Sequence, residues 1–595
     1  MTDRAPSVNT PQITVLDTGG QYCHLIARKV RELGVYAEVR PSETPAGDLA
    51  GRKGLIISGG PSSVYDAGSP TVDPAIFTGN HAVLGICYGL QLMAHLLGGV
   101  VLRGEKGEFG LATLELDPPP ADPLFRGLPT QQQIWMSHRD LVTGLPGGLS
   151  VLGATGTCAV AAMVEPKRRL YAVQFHPEVI HTRHGMEILS NFLFSICGCE
   201  RDWDPKHRIP AIEDEIRRVV GGRNVFFFVS GGVDSTVAYT LCLRALGSTR
   251  VRGVYVDTGL MREGETGFVR STFEALGAGT VEIDQAGGRF LAALEGVCDP
   301  EQKRQIIGEQ FLLVQERIIE SRGLLDGHWM LGQGTIYPDT IESGGSEKAE
   351  TIKTHHNRVA GVQKLLQAGR VVEPLSSFYK DEVRQIGAEL GLPGELLERH
   401  PFPGPGLAIR CLFADVEAAP VRTPDGWLIP LRSVGVQGDS RSYAPVLAID
   451  GQFAEEQHRT ATELTNRISG INRVIALVRG NAAIGDLRVG PSSLSGERLE
   501  RLRRADAIVR RLSEDSGFAD TIWQFPVVLI PLGTGADSDS VVLRPVDSVD
   551  GMTAQSAPIP APLLQSLASE ILSLSGVSCV FYDLTYKPPG TIEWE

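Results

Sequence analysis

The sequence predicts an α/β protein that ends in two α+β repeats, and three observations carry that reading. Short apolar runs at 13–16, 55–57 and 83–86 each lead into a polar or Gly-rich turn, the pattern of buried parallel strands alternating with helices. A further run, VFFFV at 225–229, breaks into SGGVDS and then takes up helical spacing, with Val237 and Leu241 on one face and Gly247 as the stop. In the last third, LIPL at 428–431 returns at 529–532, and 466–475 is echoed by 571–580 in the same order. Each copy reads as strands, a helix and a closing strand.

Size and composition set limits. With 595 residues, 42% of them hydrophobic, the chain can fill about three or four domains. A net charge of −14 argues against a dedicated nucleic-acid binder. The nine cysteines show no CxxC spacing, so free thiols and a reducing, cytoplasmic setting are expected. Residues 1–11 read as a loose leader without the apolar core of a signal peptide, and no apolar run reaches membrane-spanning length.

The first strand runs into DTGG, and a helix is predicted from Gln21 to Leu33, with Tyr22, Leu25, Ile26, Val30 and Leu33 at helical spacing. The second strand ends in SGGP at 58–61, and the third ends in Cys87, which stands between Gly85 and Gly89. A Cys at such a strand-to-helix junction has the geometry of a nucleophile elbow. The tight turn lifts the sulfur above the sheet and points the Tyr88 N–H at the place where an oxyanion would form. QFHPEV follows downstream. His176 and Glu178, two residues apart, would share one side of a strand, so that His176 can deprotonate Cys87 and Glu178 can orient His176. Cys23 is a rival thiol within a helical pattern. His181 and His184 lie near His176 with no cysteine or second carboxylate to complete a metal set. Together, GICYGLQ, QFHPEV and SGGPSSV resemble the class I glutamine amidotransferases. That resemblance implies that Cys87 attacks the side-chain amide of glutamine and that the N–H groups of Gly60 and Tyr88 form the oxyanion hole. It also implies that Gln91 and the stretch 135–138 hold the glutamine.

Residues 197–209 (CGCERDWDPKHRI), polar and containing Pro, read as a linker. In SGGVDS the two glycines permit a tight turn and close approach to a ligand, Ser230 and Ser235 add hydroxyls, and the N–H groups of the turn and helix start form a nest for phosphate. The lysine of a Walker loop is missing. The loop resembles that of the N-type ATP pyrophosphatases, which cleave ATP to AMP and pyrophosphate while adenylylating a carbonyl oxygen. On that resemblance Ser230, Gly231, Gly232, Val233, Asp234 and Ser235 bind ATP. A helix is expected from Asp299, with Lys303 and Arg304 near its start, where a solvated basic pair is the plain reading. The Gly-rich stretch 342–353 has the composition of a mobile lid. HPFPGPGL at 400–407 cannot be helix; it is a stiff spacer or a ligand-shaping loop. Residues 499–516 read as a charged helix, solvated on one side.

With GQGTIYPD, IKTHHN, FYKDEVR, HPFPGPGL and the terminal KPPGTIEWE added, nearly the whole chain resembles the family of glutamine-hydrolysing GMP synthases. The resemblance implies a class I amidotransferase domain (12–200) and an adenine-nucleotide α-hydrolase-like ATP pyrophosphatase domain (205–407). Two α+β C-terminal repeats would follow (408–495 and 496–595), the second with an XMP-binding tail. The implied reaction is ATP-dependent amination of XMP to GMP with ammonia from glutamine, through an adenylyl-XMP intermediate, releasing AMP and pyrophosphate. Mg²⁺ would accompany ATP through ligands that remain unknown, and Lys353 would enter with the lid. XMP contacts would come from Arg304, Asp439, Gln524, Lys587 and Glu593. The expected partners are XMP, ATP and glutamine, with no nucleic acid and no membrane. Intact Cys87, His176 and SGGVDS argue against a dead scaffold, and the XMP tail argues against another adenylylating ligase. Short members of the family join a VGVxGDxRxY stretch directly to an RxVxSxDxMTA stretch and pair as dimers. Here the first copy keeps only the former, at 434–443, and the second only the latter, at 544–554. That division fits a monomer with an internal pseudo-dimer, a homodimer being the alternative.

Overall fold

The computed structural model describes residues 10–116, 122–277, 281–341, 360–399, 402–437, 440–449, 457–468, 470–535, 537–548 and 554–595. Most of the leader, the 342–353 stretch with Lys353, and Asp439 lie outside them. The chain divides into two compact units, Met1–Ala211 and Ile212–Glu595.

In the first unit, β1 (Ile13–Asp17), β2 (Ala37–Pro41), β3 (Gly54–Ile57), β4 (Ala82–Ile86), β5 (Val100–Leu116), β6 (Gln131–Gly144), β7 (Ser150–Ala154), β8 (Ala162–Glu165) and β9 (Leu170–Val173) form one nine-stranded sheet, in the order β2-β1-β3-β4-β9-β8-β7-β5-β6. The half from β2 to β9 pairs parallel and the rest pairs antiparallel. Strands β3, β4 and β9 are buried from end to end, which explains their unbroken apolar sequence. β6 instead alternates, with Ile134, Met136, His138, Asp140 and Val142 turned inward. The predicted helix after DTGG is shorter than expected, Cys23–Glu32, and Cys23 is buried within it. The stretch 197–209 is not a loose linker. Cys197, Cys199 and Trp203 are buried, and the Trp203 ring stacks on Tyr36 at 4.4 Å with the Arg31 guanidinium 4.8 Å from its centre. Aromatic surface of this size gains more from packing than a polar composition suggests.

The second unit opens with a parallel sheet of β10 (Asn224–Val229), β11 (Val251–Asp257), β12 (Glu282–Gln285), β13 (Trp329–Gly332) and β14 (Val371–Val372), in the order β12-β11-β10-β13-β14. The helix Pro300–Ser321 is capped by Asp299, whose carboxylate accepts from the Gln302 N–H at 2.7 Å.

The last third supplies β15 (Val421–Thr423), β16 (Gly426–Gln437), β17 (Ser440–Ile449), β18 (Arg473–Gly480), β19 (Arg488–Val489), β20 (Val527–Ile530), β21 (Leu532–Gly533), β22 (Asp539–Leu543), β23 (Val546–Asp547), β24 (Gln555–Ser556) and β25 (Val577–Asp583). Seven of these make one sheet, β15-β16-β17-β18-β25-β22-β20. Read from its two ends, β16-β17-β18 is mirrored by β20-β22-β25. Each half is an antiparallel hairpin followed, through one helix (Gln457–Arg467 or Ala561–Leu572), by a parallel closing strand. The two closing strands meet antiparallel, with Ile475 opposite Asp583. The sequence echoes are therefore two halves of a single sheet. The charged helix, Gly496–Asp515, is not simply solvated: Arg498, Arg501 and Asp506 are buried. Arg498 and Arg501 both reach Asp539, Arg498 at 2.8 Å, while Leu499, Leu502 and Val509 share one core with Val254 of β11 and Val580 of β25.

One close approach sets the elbow geometry of the first unit. A Cβ on Gly85 would lie 2.5 Å from the Gly89 carbonyl oxygen. Gly85→Val is expected to part β4 from the following helix and to destabilise the first unit by about 1–3 kcal/mol, read as a lower unfolding midpoint in thermal denaturation.

Candidate functional site

Cys87 follows β4 with φ +53°, a left-handed conformation that turns the chain sharply into the helix Tyr88–Leu96. His176 and Glu178 lie in the turn that follows β9, so strand alternation does not bring them together, contrary to the sequence argument. The turn is fixed from outside. The His176 N–H donates to the Trp135 carbonyl at 3.1 Å, and the Thr182 hydroxyl donates to the His176 carbonyl at 2.6 Å. The Trp135 N–H in turn donates to the Thr182 hydroxyl. His176 Nδ1 stands 2.7 Å from the Glu178 carboxylate, and both side chains are buried.

Burial disfavours a charge on His176. The Glu178 carboxylate and the hydrogen bond with Cys87 outweigh it and hold the imidazole well above its ordinary range. An imidazolium beside Cys87 favours attack by the sulfur. His138 moves the other way: burial lowers it, so it stands neutral, with Nδ1 3.1 Å from the Asp140 carbonyl. The Thr18 hydroxyl donates to the Gly59 carbonyl at 2.8 Å, and the Thr18 N–H to Ser58 Oγ at 3.0 Å, which fixes the Gly-rich turn holding Gly60. Gly60, Cys87, Gln91, Ser137 and His176 line one cleft of about 650 Å³, roomy enough for an amino-acid side chain and its backbone. Tyr88 is buried behind the cleft, its hydroxyl donating to the Pro70 carbonyl at 2.6 Å. Gln91 is tied to the Asp140 carbonyl at 3.0 Å, so it braces the cleft wall.

In the second unit the SGGVDS loop leaves the C-terminal end of β10, where the strand order reverses between β11 and β13, the usual place for a ligand in a parallel sheet. Gly231 has φ +75°, and the helix begins at Val233. Ser230 and Ser235 hydroxyls lie 2.9 Å apart, and the Gly232 N–H donates to Ser230 Oγ at 3.2 Å. Asp234 faces Lys380 of the FYKDEVR segment, Nζ to Oδ2 at 2.9 Å. Its other oxygen, Oδ1, is buried without a hydrogen-bond partner among the described residues. Lys380 is thus a cation at the loop that the sequence reading passed over.

The expected XMP residues fall on two linked patches. Arg304 donates to the Glu595 carbonyl oxygen, and the Glu593 carboxylate accepts from Nε and Nη2 of buried Arg410, at 2.8 and 2.7 Å. Gln524 pairs with Val546, and Lys587 with Ala554; the β23–β24 ribbon connects the two pairs. The sequence reading missed Arg410, Arg473 and Arg544, and the solvated basic pair expected at 303–304 is corrected for Lys303: all four side chains are buried around this tail. For Lys303 a signal existed: it shares a helical face with Ile307, Val314 and Ile318, all buried. Among the described residues no group of three or more His, Cys, Asp or Glu side chains is placed to hold a metal, and no helix is long and apolar enough to cross a membrane.

The glutamine amidotransferase class-I family matches residues 14–196, and the GMP synthase C terminal domain family matches residues 512–594. The chain is 41% identical over 609 aligned residues to a probable glutamine-hydrolysing GMP synthase of Leptospira interrogans, covering 98% of this chain and 99% of that one. It is 42% identical to the glutamine-hydrolysing GMP synthase of Symbiobacterium thermophilum, again over 98% and 99% of the two chains. The chain belongs to the glutamine-hydrolysing GMP synthase family. The first matched span contains Cys87, His176 and Glu178, and the second contains Gln524, Lys587 and Glu593. A third relative in the GMP synthase family, from Streptomyces coelicolor, is 38% identical over the full length of both chains.

The His176 environment gives a pH prediction. Its raised pKa means that the charged form persists to higher pH and is lost as pH rises through that value. Glu178→Gln removes the main raising charge, so the imidazolium should be lost earlier. The alkaline limb of glutamate release from glutamine is expected to move to lower pH, with a lower maximum. An unmoved limb would show that Glu178 does not set the His176 charge.

Proposed function

We propose that this chain converts XMP to GMP with ATP and with ammonia drawn from glutamine. The observation that carries the reading is a Cys–His–Glu arrangement in the first unit on the same chain as an SGGVDS loop and a KPPGTIEWE tail in the second. In the first unit, Cys87 Sγ attacks the side-chain amide carbon of glutamine. The oxyanion is received by the N–H groups of Gly60 and Tyr88, His176 protonates the departing ammonia, and water then hydrolyses the thioester to glutamate. In the second unit, the XMP C2 carbonyl oxygen attacks the α-phosphorus of ATP and pyrophosphate leaves against Ser230–Ser235 and Lys380. Ammonia adds to C2 of the adenylyl-XMP and AMP departs. Activation is required because a purine carbonyl is a poor electrophile and its oxygen a poor leaving group.

Magnesium suits the loop. The ion commonly takes one or two carboxylates together with substrate phosphates, and Asp234 Oδ1 is a buried oxygen without a partner among the described residues. Asp234 would hold Mg²⁺, which when bound neutralises the triphosphate and the departing pyrophosphate. Lys353 and Asp439, outside the described residues, are taken to complete the ATP and XMP sites. We further infer a cytoplasmic monomer in which the two C-terminal copies stand for two subunits. The mirrored strand order and the antiparallel β18–β25 seam support that reading.

The division of labour is tested by separating the two activities. Cys87→Ala should abolish GMP formation from glutamine and leave formation from added ammonium at the wild-type rate. Asp234→Ala should stop AMP formation with either nitrogen source. Purine absorbance and AMP release are the readouts. Loss of both nitrogen-dependent activities in a folded Cys87→Ala protein would contradict the proposal.

A further inference from the structure

Lys303 has no part in the reaction as described, yet only 1% of it is exposed. Its ammonium group donates to the Ala408 and Cys411 carbonyls, each at 3.1 Å, and to the Glu595 carboxylate. Three donors meet three acceptors, so the group is fully satisfied. The next residue, Arg304, donates to the Glu595 carbonyl oxygen. Two consecutive side chains of the helix Pro300–Ser321 therefore grip the tail at Glu595, while residues 408–411 form the opposite wall. The Phe413 ring lies 5.5 Å from Nζ.

An ion pair buried this deeply is a weak source of stability, because desolvation offsets most of its attraction and apolar replacements commonly hold a fold as well. What the pair does fix is position. Upstream, the tail is held through its carbonyls: Thr591 and Glu593 accept from Arg473, and Ile592 accepts from Arg544. Glu595 is the far anchor, and Glu593 and Arg304, two of the expected XMP contacts, lie on either side of it. Arg410 holds the Glu593 side chain and Asp583 the Trp594 indole, but Glu595 is the contact that ties the end of the tail to residues 408–411 and to the helix carrying Arg304.

We propose that Lys303 is a positioning residue for amination: by binding the Glu595 carboxylate to residues 408–411 it holds the tail so that Glu593 and Arg304 meet XMP together. The proposal rests on the reading of the tail as part of the XMP site. Lys303 itself touches no substrate; it acts through Glu595.

The test uses the full-length chain with ammonium as nitrogen source, so that the amidotransferase is bypassed. Lys303→Met, Glu595→Gln and the double variant are compared with the unaltered protein for KM towards XMP, KM towards ATP, thermal unfolding and glutamine hydrolysis. The double variant leaves no unpaired buried charge, and the side-chain amide introduced at position 595 can donate to one of the freed carbonyls, so it should fold even where Lys303→Met does not. The expected result is a KM for XMP raised about tenfold or more in the double variant, as displacement of a binding group by a fraction of an ångström to an ångström produces, with KM for ATP and glutamine hydrolysis within about twofold of wild type. A folded double variant with an unchanged KM for XMP would overturn the role of Lys303, as would equal increases in both KM values. Absence of XMP turnover by the unaltered protein would instead overturn the functional reading.

Discussion

Asp583 is the joint on which the last third of the chain depends. Its carboxylate is fully buried between two buried arginines, Arg473 at 2.9 Å and Arg544 at 2.7 Å, and it also accepts from the Trp594 indole N–H at 2.9 Å. Arg473 belongs to the first copy, Arg544 to the second, and Trp594 to the tail. Burial would raise the carboxyl, but Arg544 and Arg473 outweigh it and hold Asp583 below its ordinary range. The stability it contributes is present at neutral pH and is lost as pH falls through that lowered value. Two guanidinium groups on one carboxylate leave donors to spare, and several of these go to backbone. Arg473 donates to the Val434, Thr591 and Glu593 carbonyls, and Arg544 to those of Thr585 and Ile592. One ionic contact thereby ties the seam of the sheet to the segment that carries the expected nucleotide contacts.

The halves of the sheet share a frame but not their chemistry. Aligning SGINRVIAL (469–477) with SGVSCVFYD (575–583) sets Arg473 against Cys579 and Leu477 against Asp583. The neighbouring polar contact does recur: Ser433 Oγ bonds Asn472 at 2.7 Å in the first copy, and the Thr534 N–H bonds Ser578 Oγ at 3.2 Å in the second. At the end of the seam where the charged joint should repeat, Cys579 is buried with its sulfur towards the Ala482 carbonyl at 3.7 Å. A thiol and a leucine cannot clamp a tail. The asymmetry gives the first copy a physical task, holding the tail of the second through Arg473, and places the clamp once per chain.

The local motifs were legible because their geometry is made within a few residues. Cys87 sits at a strand end with a helix behind it, and SGGVDS must turn between a strand and a helix; both follow from the order of apolar runs and glycines. The His176–Glu178 contact was anticipated for the wrong reason, since it is the hydrogen bonds of Thr182 and Trp135 that shape their turn. Residues whose partners lie far along the chain were not legible. Lys303 reads as a solvated base until Glu595 is placed against it, and nothing in the local sequence marks Arg473 until Asp583 and the tail arrive. Trp203 gave a polar segment a buried face. Arg498 and Arg501 became interior only because Asp539 lies opposite them.

The central claim is that the duplicated sheet forms one nucleotide site inside one chain. Sedimentation velocity with XMP titrated across a wide dilution series, with amination measured in parallel, tests it most directly. The account predicts one XMP bound per particle of single-chain mass and a specific activity that does not change on dilution. XMP binding confined to a two-chain particle, with activity falling as that particle dissociates, would contradict it.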